Sequence, residues 1–152
     1  MKKVLFVCLG NICRSAMAEG ILTEKVKVQE LSIAVDSAGT ANYHVGEAPD
    51  KRMQQKAIDH GLSISHQRGR QFTIADFDEF DYIFAMDESN QGNILQLARN
   101  QADENKVELF LNLSQPGQDL SVPDPYYGGE QGFEDVYQML NKACDEFIET
   151  LH

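Results

Sequence analysis

The chain has no tryptophan, three cysteines and four prolines in 152 residues, and its 13 lysines and arginines are outnumbered by 24 acidic residues. Each shortage removes a class of protein. Three cysteines (Cys8, Cys13, Cys144) are too few and too odd in number for a disulfide framework. The four histidines are scattered and no CxxC pair exists, so the sequence offers no zinc ligand set, and no metal is expected. A net charge of −11 without a basic stripe argues against a nucleic-acid partner, which would need lysines and arginines along a phosphate backbone. No run approaches the roughly eighteen apolar residues of a membrane span. The first apolar run, Val4 to Leu9, is shorter than the core of a signal peptide, so a cytoplasmic protein without membrane attachment is expected.

The remaining composition, 42% hydrophobic and 24% charged, suits one folded domain over residues 1–152, with no linker, repeat or low-complexity tract. KKVLFVC (2–8) reads as a strand covered on both faces, followed by a helix from about Arg14 to Val28. Further strands are expected at 32–37, 81–87 and 107–113. Helices are expected after Pro49 and ending near Gly61, a short one begun by Thr73, one over 88–102, and one over 133–151. On the last helix Val136, Met139, Leu140, Ala143, Phe147 and Leu151 should face the sheet. Strands alternating with helices imply an α/β domain with a mainly parallel sheet, whose ligands bind beyond the carboxyl ends of the strands. Cys8 stands at such an end.

The segment Cys8-Leu9-Gly10-Asn11-Ile12-Cys13-Arg14-Ser15 wraps from strand to helix. A loop of this length can aim several backbone N–H groups at one anion at the positive end of a helix. Gly10 and Asn11 tolerate the positive φ that the wrap needs, and the Arg14 fork can grip two phosphate oxygens. The same field favours the thiolate of Cys8, placed to attack phosphorus, with Ser15 either bonding the sulfur or merely capping the helix. By spacing alone, a buried small hydrophobe and a surface cation account for Cys8 and Arg14 equally well. The nucleotide P-loop does not fit, because its Gly-Lys-Ser/Thr ending is missing. A second feature adds weight to chemistry. Asp124, in VPDPYYGG, is fixed between Pro123 and Pro125 and followed by two tyrosines, as an acid that protonates an aryl leaving group would be.

With VCLGNICRS (7–15), DSAGT (36–40), HVGEAPDKR (44–52), FDYIFAMDESN (80–90) and DPYYGG (124–129) in this order, the chain resembles the low-molecular-weight protein tyrosine phosphatases over essentially its whole length. The resemblance implies a four-stranded parallel sheet with helices on both faces, a phosphate-binding loop between the first strand and first helix, and no cofactor. It implies hydrolysis of phosphotyrosine in proteins or peptides by a monomer or weak homodimer. Carried over by residue, Cys8 is the nucleophile, Arg14 the phosphate clamp and Asp124 the general acid and base. Leu9, Gly10, Asn11, Ile12, Cys13 and Ser15 hold the phosphate, with Tyr43 and Tyr126 walling the substrate ring alongside Ile12. Ser37 supports Asn11, Asp87 is a structural carboxylate, and His66 joins Glu19 and Asp36 in a supporting cluster unless it is simply a satisfied histidine. Cys13 either traps an oxidised Cys8 as a disulfide or only packs beneath the loop. Ala16 replaces a proline common in the family, and Tyr43 stands where some members carry tryptophan.

Three other readings share parts of the pattern. An arsenate reductase needs more relay cysteines than Cys144 supplies. A phosphoarginine phosphatase would prefer a small hydroxylated residue to Ile12. A non-catalytic phosphate-binding module would have little use for both Cys8 and Asp124.

Overall fold

Alternate residues of β1 (Lys2–Cys8) serve two separate cores, as a strand sandwiched between helical layers requires. Val4, Phe6 and Cys8 pack on one face with Met17, Ile21, Leu140 and Phe147, whereas Leu5 and Val7 pack on the other with Phe72, Phe77, Ile83 and Ile94. The computed structural model describes residues 1–125 and 129–151.

The order is β1, α1 (Arg14–Gln29), β2 (Ile33–Gly39), α2 (Lys51–Asp59), α3 (Asp76–Glu79), β3 (Tyr82–Ala85), α4 (Glu88–Leu95), α5 (Gln101–Asn105), β4 (Val107–Leu109), a 3-10 turn (Phe110–Leu113) and α6 (Gly129–Thr150). The four strands are all parallel in the spatial order β2-β1-β3-β4. Strand β1 therefore lies inside the sheet, its last residue Cys8 in register with Gly39 of β2. Helices α1 and α6 cover one face. The other is covered by the Phe72–Phe80 segment and α4. This is the α/β architecture expected, and no helix among the described residues is long and apolar enough to cross a membrane.

Three elements differ from the expectation. The helix over 88–102 is two helices, α4 and α5, because Asn100 caps the second by accepting from Asp103 N at 2.9 Å, and the Asp103 carboxylate accepts from Arg99 N at 2.9 Å. Local side-chain caps outcompete a continuous helix where the intervening sequence is polar. The strand over 107–113 stops at Leu109 and tightens into the 3-10 turn, which buries Phe110 and Leu111. On α6, Val136, Leu140, Ala143 and Phe147 are buried as expected, joined by Cys144 and Ile148. Met139 instead turns outward at 36% exposure, and Leu151 is half-buried.

Candidate active site

The loop from Cys8 to Arg14 is shaped by where its carbonyls go. Cys8 O accepts from Thr40 N (2.9 Å), Leu9 O from Ala41 N (2.9 Å) and Ile12 O from Asp50 N (2.8 Å), so these carbonyls are turned outward. Among the described residues, none accepts from the backbone N–H groups of Leu9 to Cys13. Those donors are left for the inside of the wrap, at the start of α1, which is an anion nest in geometry and polarity.

Asn11 takes the left-handed conformation at φ 60°, while Gly10 does not. Gly10 is small for another reason: a Cβ there would lie 2.9 Å from Cδ2 of His44. Beneath the loop, a Cβ on Gly39 would meet Leu9 O at 2.7 Å and Asn11 N at 3.2 Å. Gly39 thus allows β2 to approach the loop backbone, a role that its place in a turn-like DSAGT segment does not announce.

The buried Asn11 amide has every polar atom engaged. Its Nδ2 donates to Ser15 Oγ (2.7 Å) and Ser37 Oγ (2.9 Å), and its Oδ1 accepts from Arg70 N (3.1 Å). Ser37 Oγ in turn donates to Glu19 Oε1 at 2.6 Å. Ser15 Oγ, already accepting from Asn11, lies 3.0 Å from Cys8 Sγ and 3.5 Å from Ala38 O. With one lone pair committed to Asn11, its proton is within reach of the sulfur.

The Arg14 guanidinium is buried. Its Nη1 donates to Asp87 Oδ2 at 2.7 Å and Val122 O at 2.9 Å, and its Nη2 is 3.9 Å from Asp124 Oδ2. Burial opposes its charge, but Cys8, Asp87 and Asp124 outweigh burial and raise its pKa. Asp87 also caps α4 by accepting from Asn90 N at 2.7 Å, so Arg14 is anchored to a second helix. Burial, then Asp50 and Cys8, push the Cys13 thiol upward, so it stays protonated.

Cys8, Leu9, Gly10, Ile12, Cys13, Arg14, Tyr43 and Asp124 line one cavity of about 330 Å³, together with His44. His44, which the motif reading passed over, reaches the rim with Nδ1 held 3.0 Å from Glu47 Oε2. Tyr126 lies outside the described residues.

The supporting cluster forms, but without His66, which is exposed on a turn and makes no hydrogen bond to it among the described residues. Arg70 takes that place, binding Asp36 (3.1 Å) and Asp76 (3.0 Å) while its backbone holds Asn11. A guanidinium reaches two carboxylates at once, which an imidazole four residues earlier does not.

The model of the family described as low molecular weight phosphotyrosine protein phosphatase matches residues 3–152. The human protein called low molecular weight phosphotyrosine protein phosphatase is 44% identical over 154 residues, covering 99% of this chain and 96% of its own. A protein tyrosine phosphatase from Entamoeba histolytica superimposes with a TM-score of 0.93 at 38% identity, covering 99% of this chain and 97% of that one. A Drosophila arginine phosphatase gives 0.91 at 38% identity, with 99% and 98% covered. By sequence and by fold, the chain belongs to the low molecular weight phosphotyrosine protein phosphatase family.

Proposed function

We propose that the protein hydrolyses phosphotyrosine monoesters in proteins or peptides through a phosphocysteine intermediate, without metal or organic cofactor. The observation that carries this reading is the meeting of Cys8, Arg14 and Asp124 in one cavity whose floor is a row of uncommitted backbone donors. The Cys8 thiolate attacks phosphorus, forming an S–P bond as the P–O bond to the aryl group breaks. The electron pair leaves on the aryl oxygen, which takes a proton from Asp124. The Asp124 carboxylate then removes a proton from water as the water oxygen attacks phosphorus. The S–P bond breaks, and inorganic phosphate and the Cys8 thiolate are regenerated. Arg14 and the loop N–H groups stabilise the equatorial oxygens throughout. Ile12 and Tyr43 supply flat apolar walls suited to an aromatic ring.

The test is phosphate release from phosphotyrosine, phosphoserine and phosphoarginine in EDTA, by the parent and by Cys8→Ser. Hydrolysis of phosphotyrosine alone is expected, reduced roughly ten-thousandfold or more in the variant. Preferential release from phosphoarginine would move the substrate toward that of the Drosophila relative, and no release from any of the three would remove the enzymatic reading. Because attack uses a thiolate and departure uses protonated Asp124, kcat/KM for an aryl phosphate should be bell-shaped in pH. The second loop thiol carries a further expectation, that peroxide inactivation is reversed by a dithiol in the parent and not in Cys13→Ala.

A further inference from the structure

Residues 69–72 lie outside the helices and strands named above, yet three parts of the site hang on their backbone. Arg70 N donates to Oδ1 of Asn11 (3.1 Å), the residue whose left-handed φ bends the phosphate loop. Arg70 O accepts from Gly39 N (2.8 Å) and Phe72 N donates to Gly39 O (2.7 Å), so the same segment fixes the glycine that lies under Leu9. Gly69 binds the turn that carries His44 through both its backbone groups, accepting from Gly46 N and donating to Glu47 O, each at 2.8 Å. A displacement of this segment therefore moves the loop, the end of β2 and the cavity rim together.

The two ends of the segment are held differently. Phe72 is buried and packs edge-on against Phe77, with ring centroids 5.3 Å apart. At the end nearer the loop, the anchor is the Arg70 guanidinium, the one charged group in GRQF. Its Nη1 and Nη2 donate to the two carboxylate oxygens of Asp76 at 3.1 and 3.0 Å, and its Nε and Nη2 lie 3.2 and 3.1 Å from Asp36 Oδ2. Asp76 is buried and itself fixed, accepting from Thr73 N at 2.8 Å, and Asp36 belongs to β2. A planar fork engaged on two sides leaves the residue that carries it little room to shift. Resting on the phosphatase reading, we infer that Arg70 is a positioning residue: its ion pairs with Asp76 and Asp36 hold Asn11 and Gly39 where the loop N–H groups converge on one anion. Arg70 does not line the cavity, so it acts through these partners alone. Misplacing aimed donors by a fraction of an ångström to an ångström is enough to cost one to two orders of magnitude in rate.

The test compares Arg70→Met with Arg99→Met. Arg99 makes the same kind of fork, to Asp78 and Asp103, beside α5, which leads into the amino end of β4, whereas Cys8 stands at the carboxyl end of its strand. Both variants lose a paired guanidinium, but only one of the two lies behind the loop. Calorimetric binding of inorganic phosphate and kcat/KM for phenyl phosphate are measured in EDTA, at a temperature where circular dichroism shows every variant folded. Arg70→Met should weaken phosphate binding about tenfold and lower kcat/KM by at least as much, whereas Arg99→Met keeps both within about twofold whatever its loss of Tm. Arg70→Lys keeps the charge without the fork and should recover part of the loss, to about threefold below the parent. If Arg70→Met does not fold, Asp76→Asn replaces it; this variant keeps an acceptor for Thr73 N and should lose about threefold in both readouts. Parental phosphate binding and turnover in Arg70→Met overturn the inference. An equal loss in Arg99→Met also overturns it, because the effect would then be one of overall stability. A parent that binds phosphate but releases none from phosphomonoesters would defeat the phosphatase reading alone, and the phosphate affinities would still decide the role of Arg70. A parent that binds no phosphate overturns both.

Discussion

The two segments that meet at the catalytic cavity are held in opposite ways. Residues 8–15 are fixed from below by buried polar side chains, with Asn11 donating to both Ser15 and Ser37 and the loop carbonyls tied to Thr40, Ala41 and Asp50. Asp124, with a side chain 45% exposed, rides on an irregular stretch after Leu113 that turns through Gly117 (φ 77°) and Asp119 (φ 53°). An anion cradle works only if its donors are already aimed, so the structure commits buried hydrogen bonds to it. The proton transfers proposed for Asp124 need water within reach, and a surface loop provides that.

If the contrast is right, substitutions on the two sides separate activity from stability. The largest expected effect is Arg14→Lys, which keeps the charge but loses the fork to Val122 and the substrate; kcat/KM should fall roughly a thousandfold, and a loss under tenfold would mean that the clamp is only electrostatic. Asp124→Asn should lower kcat for phenyl phosphate about a hundredfold and for an activated phenol far less, with Tm unchanged. Asn11→Ala should lower kcat about tenfold and also cost about 2–3 kcal/mol in urea unfolding, because it strands the Ser37 and Arg70 partners and places alanine at φ 60°. Full stability in that variant would break the contrast.

The smallest effect on turnover is expected from Glu19→Gln, whose signature is pH-dependent stability. Burial, followed by the nearby Asp36, raises the Glu19 pKa from 4.5 to about 7, against the Ser37 hydrogen bond. The folded chain keeps this proton to about pH 7, whereas the unfolded chain releases it near 4.5, so stability falls as pH rises between those values. The loss is on the order of 2–3 kcal/mol and should vanish in Glu19→Gln, measured by urea unfolding at pH 5 and pH 8.

Much of this site is legible in the sequence because its chemistry is local. Cys8, Asn11, Arg14 and Ser15 lie within one turn of a loop and helix, and the all-apolar β1 announces its own burial. What the sequence conceals depends on contacts between distant segments. Gly39 matters because β2 passes under Leu9, His44 because it packs on Gly10, and Arg70 because its backbone faces Asn11. Met139 has a core residue's spacing but reaches a helix face that the sheet does not cover. The break between α4 and α5 turns on the Asn100 and Asp103 caps, a competition that apolar periodicity does not register.

The interior position of β1 has a kinetic consequence. With β2 paired on one side and β3 on the other, no local fraying frees the strand that ends in Cys8. The amides of Val4 to Val7 should exchange with deuterium only through global opening, while those of the Asp124 segment exchange early. Cys8 is then displaced no more often than the whole sheet opens, so added core stability anywhere in the molecule lengthens the time it stays in place for the attack proposed for it.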